Sequence, residues 1–202
     1  MRFVSPARPE ARSSGLCVAY SLAMLALTGA CSDAPSADFE TNLASITIDT
    51  NATYTIVGVQ SNKCVDVTGA STANLATLQI GTCRASTSQQ FRAEAMGSGF
   101  FRLRNVNSGR CADVNGASLV NGAAVIQYAC GTGQNQQWSF TDTAGGSVRI
   151  AARHSGRALD VSGQGTADGT KLIQWAASGQ TNQQFRLVVV AGGSGGSGGS
   201  AA

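Results

Sequence analysis

From Ile46 onward, apolar and polar side chains alternate in short runs such as Thr53-Tyr54-Thr55-Ile56-Val57 and Phe101-Arg102-Leu103-Arg104. A period of two over four to six residues predicts strands that bury one face. No stretch carries a helical period of useful length. Turn formers separate the runs at matching places: Ser61-Asn62-Lys63, Ser108-Gly109-Arg110 and Ser155-Gly156-Arg157, then Asn121-Gly122 and Asp168-Gly169. The whole pattern also repeats. Gln89-Gln90-Phe91 returns as Gln136-Gln137-Trp138 and Gln183-Gln184-Phe185, at a spacing of 47 residues. An Asp stands 25 residues before each aromatic, in Val65-Asp66-Val67, Ala112-Asp113-Val114 and Leu159-Asp160-Val161. Each unit therefore holds about four short strands. Three such units are too few for a propeller of typically 4 to 8 blades, and the lack of helical segments excludes helical solenoids. An all-β, closed threefold arrangement remains.

Composition agrees with this reading. Charged residues make up 12% of the 202, hydrophobic residues 43%, and there are 25 glycines, which suits a turn-rich β protein and is too apolar for a disordered chain. Of the 14 Lys and Arg, Arg2, Arg8 and Arg12 lie near the start, where Glu10 is the sole acid, leaving 11 bases against 10 acids in the rest. That balance gives no electrostatic case for nucleic acid, which needs clustered Lys and Arg.

Three Gln-x-aromatic motifs in register, each downstream of a Cys-x-Asp-Val segment or its counterpart, resemble the ricin B-type lectin family over about residues 46 to 190. The resemblance implies a β-trefoil with pseudo-threefold symmetry and a carbohydrate-binding role. A sugar offers vicinal hydroxyls and an apolar C–H face, so its site needs a carboxylate acceptor, an amide and an aromatic platform. In the family these are the Asp after the first Cys, an aromatic two before the second, and the Asn-Gln that opens the Gln-x-aromatic motif. Position by position, the second repeat carries Asp113, Tyr128, Asn135 and Gln136, and the third Asp160, Trp175, Asn182 and Gln183. The first keeps Asp66 and Gln89 but has Gly81 in place of the ring and Ser88 in place of the Asn. Two competent sites and one degenerate lobe are expected. Asp also ties turns to backbone N–H groups, and Asp66 persists without its partners, so that structural use stays open for Asp113 and Asp160.

Phe91, Trp138 and Phe185 are expected in the core, with Gln90, Gln137 and Gln184 bonding buried backbone. Gln127 and Gln174 adjoin the rings and either assist them or face solvent; Gln79 is out of register by one, and its role stays open. Cys64 and Cys83 are 19 apart, as are Cys111 and Cys130, and the third repeat replaces both members at once, with Ala158 and Ala177. Joint loss is what bonded pairs predict, so Cys64–Cys83 and Cys111–Cys130 are expected as disulfides. A four-Cys metal site is the rival, but the two-residue spacings of zinc sites are missing and the pairs belong to separate lobes. No metal or other cofactor is expected.

The lone His154 occupies a turn, at the place of Gln60 and Asn107, with no Ser or Cys partner in a recognisable motif. It is expected as a surface turn residue. Glycosidase chemistry needs two carboxylates within about 5 to 9.5 Å. Acids repeated once per lobe do not converge, so no enzyme is expected.

Residues 1–31 read as an export signal. Three arginines precede the apolar run Leu16 to Leu27, which is shorter than the ~20 residues of a spanning helix. Thr28-Gly29-Ala30-Cys31 resembles the lipobox of bacterial lipoproteins, with Thr28 where an apolar residue is usual; this implies lipidation at Cys31, the alternative being an ordinary secretory peptide. Residues 32–44 read as a tether, 45–190 as the domain, and the Gly-Gly-Ser repeats within 191–202 as a flexible linker, either a scar of cloning or the start of a further connection. The expectation is an exported lectin whose partner is a glycan or polysaccharide and which meets a membrane only through a lipid anchor. Its rivals are a trefoil protein-interaction or protease-inhibitor module and the targeting module of a larger glycosidase.

Overall fold

A computed structural model describes residues 46–190. The expected leader, Cys31, the tether and the Gly/Ser tail lie outside the described residues. Twelve strands follow one another: β1 (Thr53–Gly58), β2 (Cys64–Val67), β3 (Leu78–Gly81), β4 (Gln90–Ala95), β5 (Phe101–Asn105), β6 (Cys111–Val114), β7 (Val125–Tyr128), β8 (Trp138–Thr143), β9 (Ser147–Ala152), β10 (Ala158–Val161), β11 (Leu172–Trp175) and β12 (Phe185–Val189). Among the described residues the helical segments are single 3₁₀ turns. The four-strands-per-repeat expectation holds.

Six strands close a ring, with β1 pairing β4, β4 pairing β5, β5 pairing β8, β8 pairing β9, β9 pairing β12 and β12 returning to β1, all antiparallel. Closure leaves this barrel no free edge. The other six form three hairpins, β2–β3, β6–β7 and β10–β11, which meet at one end through the bridges Thr77–Ile126, Ala124–Ile173 and Gln79–Lys171. The result is the β-trefoil.

Its core is built in layers of three, each member 47 residues from the next. Ile56, Leu103 and Ile150 form one layer; Phe91, Trp138 and Phe185 form another, all nearly inaccessible. The indole N–H of Trp138 donates to the Ala112 carbonyl at 3.1 Å, which satisfies its polar atom within the core. The disulfides Cys64–Cys83 and Cys111–Cys130 are both formed, with Cα separations of 5.0 and 5.1 Å. Each clips one hairpin to the chain beyond it.

The repeats are stapled at their junctions. Gln127 is buried, and its Nε2 donates to the carbonyls of Ser71 (2.8 Å) and Ala73 (2.7 Å) in the first repeat while its Oε1 accepts from Ser108 Oγ (2.7 Å). Gln174 does the same to Ser118 (2.7 Å) and Val120 (2.9 Å), accepting from Ser155 Oγ (2.8 Å). Neither faces solvent nor reaches a ring face: both fasten the preceding repeat's loop. At the third junction Ile80 holds the equivalent position, and an ion pair substitutes, Lys63 to Asp168 at 2.6 Å, with Thr82 donating to the same carboxylate. The Lys63 ammonium and the Thr82 hydroxyl hold the Asp168 pKa down at about 2.

Candidate functional site

In every repeat the chain leaves its β2-type strand through a left-handed corner. Gly69, Gly116 and Gly163 have φ of 62°, 63° and 60°, and the residues after them, Ala70, Ala117 and Gln164, are left-handed too. The corner turns the chain so that it borders the Asp of the strand just ended. A turn residue of a neighbouring repeat then holds the corner: Asn107 Nδ2 donates to the Ala70 carbonyl (2.9 Å), Gln60 Nε2 to that of Gln164 (2.7 Å), and His154 Nε2 lies 2.9 Å from the Ser118 carbonyl. His154 is thus half-buried at a junction rather than a free surface turn residue.

The three Asp side chains are buried, and none accepts from a backbone N–H; each accepts from the first Gln of its own motif. Gln89, Gln136 and Gln183 donate to Asp66 (2.9 Å), Asp113 (2.7 Å) and Asp160 (2.7 Å) and, with the second N–H, to the carbonyls of Thr82, Ala129 and Ala176. Their Oε1 atoms accept the backbone N–H of Arg84, Gly131 and Ser178. With both donors and the acceptor engaged, these glutamines position the carboxylates.

The lobes differ in the next contact. In the second repeat Asn135 Nδ2 donates to Asp113 Oδ1 (2.9 Å), so each carboxylate oxygen holds one amide. In the third, Asn182 Nδ2 (3.0 Å) and Gln183 converge on Asp160 Oδ2, leaving Oδ1 without a protein partner. In the first, Ser88 bonds Ser86 instead, and Asp66 Oδ1 is buried with no partner. Burial pushes the Asp113 and Asp160 pKa values above the usual carboxylate range; the Gln and Asn amides pull the other way, as does His154 at Asp113.

Two clefts open over these groups. One, of about 400 Å³, is lined by Asp113, Asn135 and Tyr128 together with Asn115, Ala117, Leu75 and Ile126. The other, of about 420 Å³, brings Asp160, Asn182, Gln183 and Trp175 together with Ser162, Gln164, Ser178 and Gln180. Tyr128 and Trp175 are 41% and 44% exposed, unlike the core aromatics, and line the clefts with part of each ring open to solvent. Gln136 lies outside the lining of its cleft. A carboxylate acceptor, an amide and an open ring are what a polyhydroxylated ring with an apolar face requires.

The ricin-type β-trefoil lectin domain-like family matches residues 35–128, 87–175 and 134–197, in overlapping segments that track the repeats. The chain belongs to this family. Among solved structures, the chain is similar to ThreeFoil, a designed threefold symmetric protein, at 42% identity over 67% of this chain and 97% of that one, with a TM-score of 0.66. It is similar to an exo-β-1,3-galactanase from Clostridium thermocellum at 38% identity over 71% of this chain and 31% of that one, so it spans about a third of that enzyme (TM-score 0.68). A Macrolepiota procera ricin B-like lectin, solved with lactose, shares the fold at 19% identity over 70% of this chain and 98% of that one (TM-score 0.62). No curated protein sequence matches the chain.

Several residues that line the two clefts carry no motif noted in the sequence. The corners Asn115-Gly116-Ala117 and Ser162-Gly163-Gln164 follow each Asp-Val at one offset with Gly in the middle, a repeated signal that would have found them. Leu75 and Ser178 carry no such mark.

Proposed function

We propose that this protein is a non-catalytic lectin that binds glycans through two sites, one in the second repeat and one in the third. The observation that carries this reading is the half-exposed ring beside an amide-clamped Asp, present in those two repeats and replaced by Gly81 in the first. Asp113 and Asp160 accept sugar hydroxyls, Asn135 and Asn182 fix the carboxylates and bond a neighbouring hydroxyl, Tyr128 and Trp175 stack on the C–H face, and Gln136 and Gln183 hold the acceptors in place. Each cleft contains a single carboxylate, which supports binding rather than glycoside hydrolysis. The leader reading completes the proposal: export, and lipidation of Cys31 to tether the lectin to a bacterial envelope.

The test is a glycan array with the oxidised full chain beside the double variants Asp113→Ala/Asp160→Ala and Tyr128→Ala/Trp175→Ala. Retention of a glycan class by wild type, lost in both folded variants, is expected. A folded wild type silent across neutral and acidic glycans would remove the reading and favour a protein-interaction module. A second reading, that the domain targets a larger glycoside hydrolase, is favoured by its 38% identity to about a third of a galactanase; the full-length gene decides it.

A further inference from the structure

The two clefts share their acceptor and ring but differ around them. Where the third-repeat cleft is lined by Gln164, Ser178 and Gln180, the second repeat has Ala117, Gly131 and Gly133 at the positions 47 residues earlier, and of these only Ala117 lines its cleft. Gln164 Nε2 donates to Gln180 Oε1, an amide pair along the rim. The reverse substitution occurs on the other flank. Leu75 lines the second-repeat cleft, and its counterparts one and two periods on are Gly122 and Gly169.

The backbone makes Leu75 unusual. All three positions are left-handed, with φ of 70°, 86° and 84°, a conformation that glycine adopts freely and leucine does not. The side chain is 60% exposed, so core packing does not account for it. Its N–H donates to the Gln127 carbonyl (2.9 Å), and Asn74 Oδ1 accepts from the Ala129 N–H (2.8 Å), which holds Leu75 against the residues flanking Tyr128. The symmetric position shows where such a side chain goes: a Cβ on Gly122 would lie 3.7 Å from Trp175 Cζ3, in ordinary contact with the ring. Strain kept at an exposed position that lines a cleft points to use by a ligand.

We propose that the two sites have different specificities, and that Leu75, supplied by the first repeat to the site of the second, sets one of them. The proposal rests on the glycan-binding reading above. Leu75, Ile126 and Ala117 favour a sugar that turns a methyl toward them, as in a 6-deoxy or N-acetylamino sugar, because a hydroxyl there would lose water without gaining a partner. The third-repeat site, open at Gly122 and rimmed by Ser162, Gln164, Ser178 and Gln180, takes the fully hydroxylated ring.

The experiment uses the full-length protein with one site silenced at a time and paired probes, galactose against N-acetylgalactosamine and against 6-deoxygalactose. With Trp175→Ala, the methyl-bearing probe is expected to bind about fivefold more tightly, as one buried methyl gives. Adding Leu75→Gly should bring the ratio near one, while Leu75→Asn, which tolerates the left-handed backbone, should reverse it. With Tyr128→Ala, the hydroxylated probe should win. Leu75→Gly alone should raise the melting temperature by about 2–4 °C through relief of strain. The same preference in both single-site backgrounds, or a ratio indifferent to Leu75→Gly, would overturn the inference while leaving the lectin standing. No binding by either background or wild type would overturn the lectin reading itself.

Discussion

At the scale of single residues, the site is a buried carboxylate whose charge is held by neutral amides. Asp113 and Asp160 titrate above the ordinary range because burial outweighs the Gln and Asn hydrogen bonds. The folded protein therefore keeps protons that the unfolded chain has released. Stability from these two groups is fully present below the unfolded pKa near 3.8 and is lost as pH rises through the native values. Under the proposed function, glycan binding should run oppositely, since hydroxyl donors need the ionised acceptor. Calorimetric titration with whichever glycan binds should show affinity falling in acid at a pH above that of an ordinary Asp. Affinity that persists until ordinary Asp residues protonate would mean that these carboxylates do not accept the ligand's hydroxyls. The sequence marked Gln136 and Gln183 beside the Asp residues, and they are beside them; their burial was not legible, because a repeat shows which residue types recur and not which side of the carboxylate they occupy.

At the scale of elements, the hairpins are held by contacts the linear pattern did not carry. The Gln174 side chain makes three hydrogen bonds at the junction of the second and third repeats, two of them to carbonyls of the loop beyond Ala117. Gln174→Ala should cost about 2–4 kcal/mol in urea unfolding, from the cavity and the two carbonyls left unpaired. Reduction of the two disulfides should cost about 3 kcal/mol each on the chain-entropy account, and in hydrogen exchange the loss of protection beyond this global change should concentrate in the β2–β3 and β6–β7 hairpins rather than in β10–β11, which has Ala158 and Ala177. These pairs were readable from sequence because both members vanish together. The role of Gln127 and Gln174 was not, since their partners, such as Ser71 and Ser118, lie more than 50 residues away and no local period registers them.

At the scale of the whole molecule, threefold closure sets what the sites can do together. Asp113 and Asp160 sit one per lobe on separate hairpins, and under the proposed two-site function the gain from having both is bivalency. A polysaccharide or clustered glycan that reaches both sites should bind on the order of 10²-fold more tightly than its monovalent unit, and Trp175→Ala should abolish most of that gain without abolishing binding. Surface plasmon resonance on dense and sparse glycan surfaces separates the cases. Equal affinity on both would show that the sites act alone.

The sequence by itself determined the trefoil, its core aromatics, its disulfides and the polar set of each lobe. Each of these is a local property or one repeated at a constant spacing of 47 residues. The tertiary structure alone decided which of those polar groups line a cleft and which do not, and which residues of one repeat enter the site of the next. Leu75 shows why: its place in the cleft with Tyr128 depends on how two repeats meet, through a hydrogen bond from its N–H to the Gln127 carbonyl 52 residues away that no periodicity encodes.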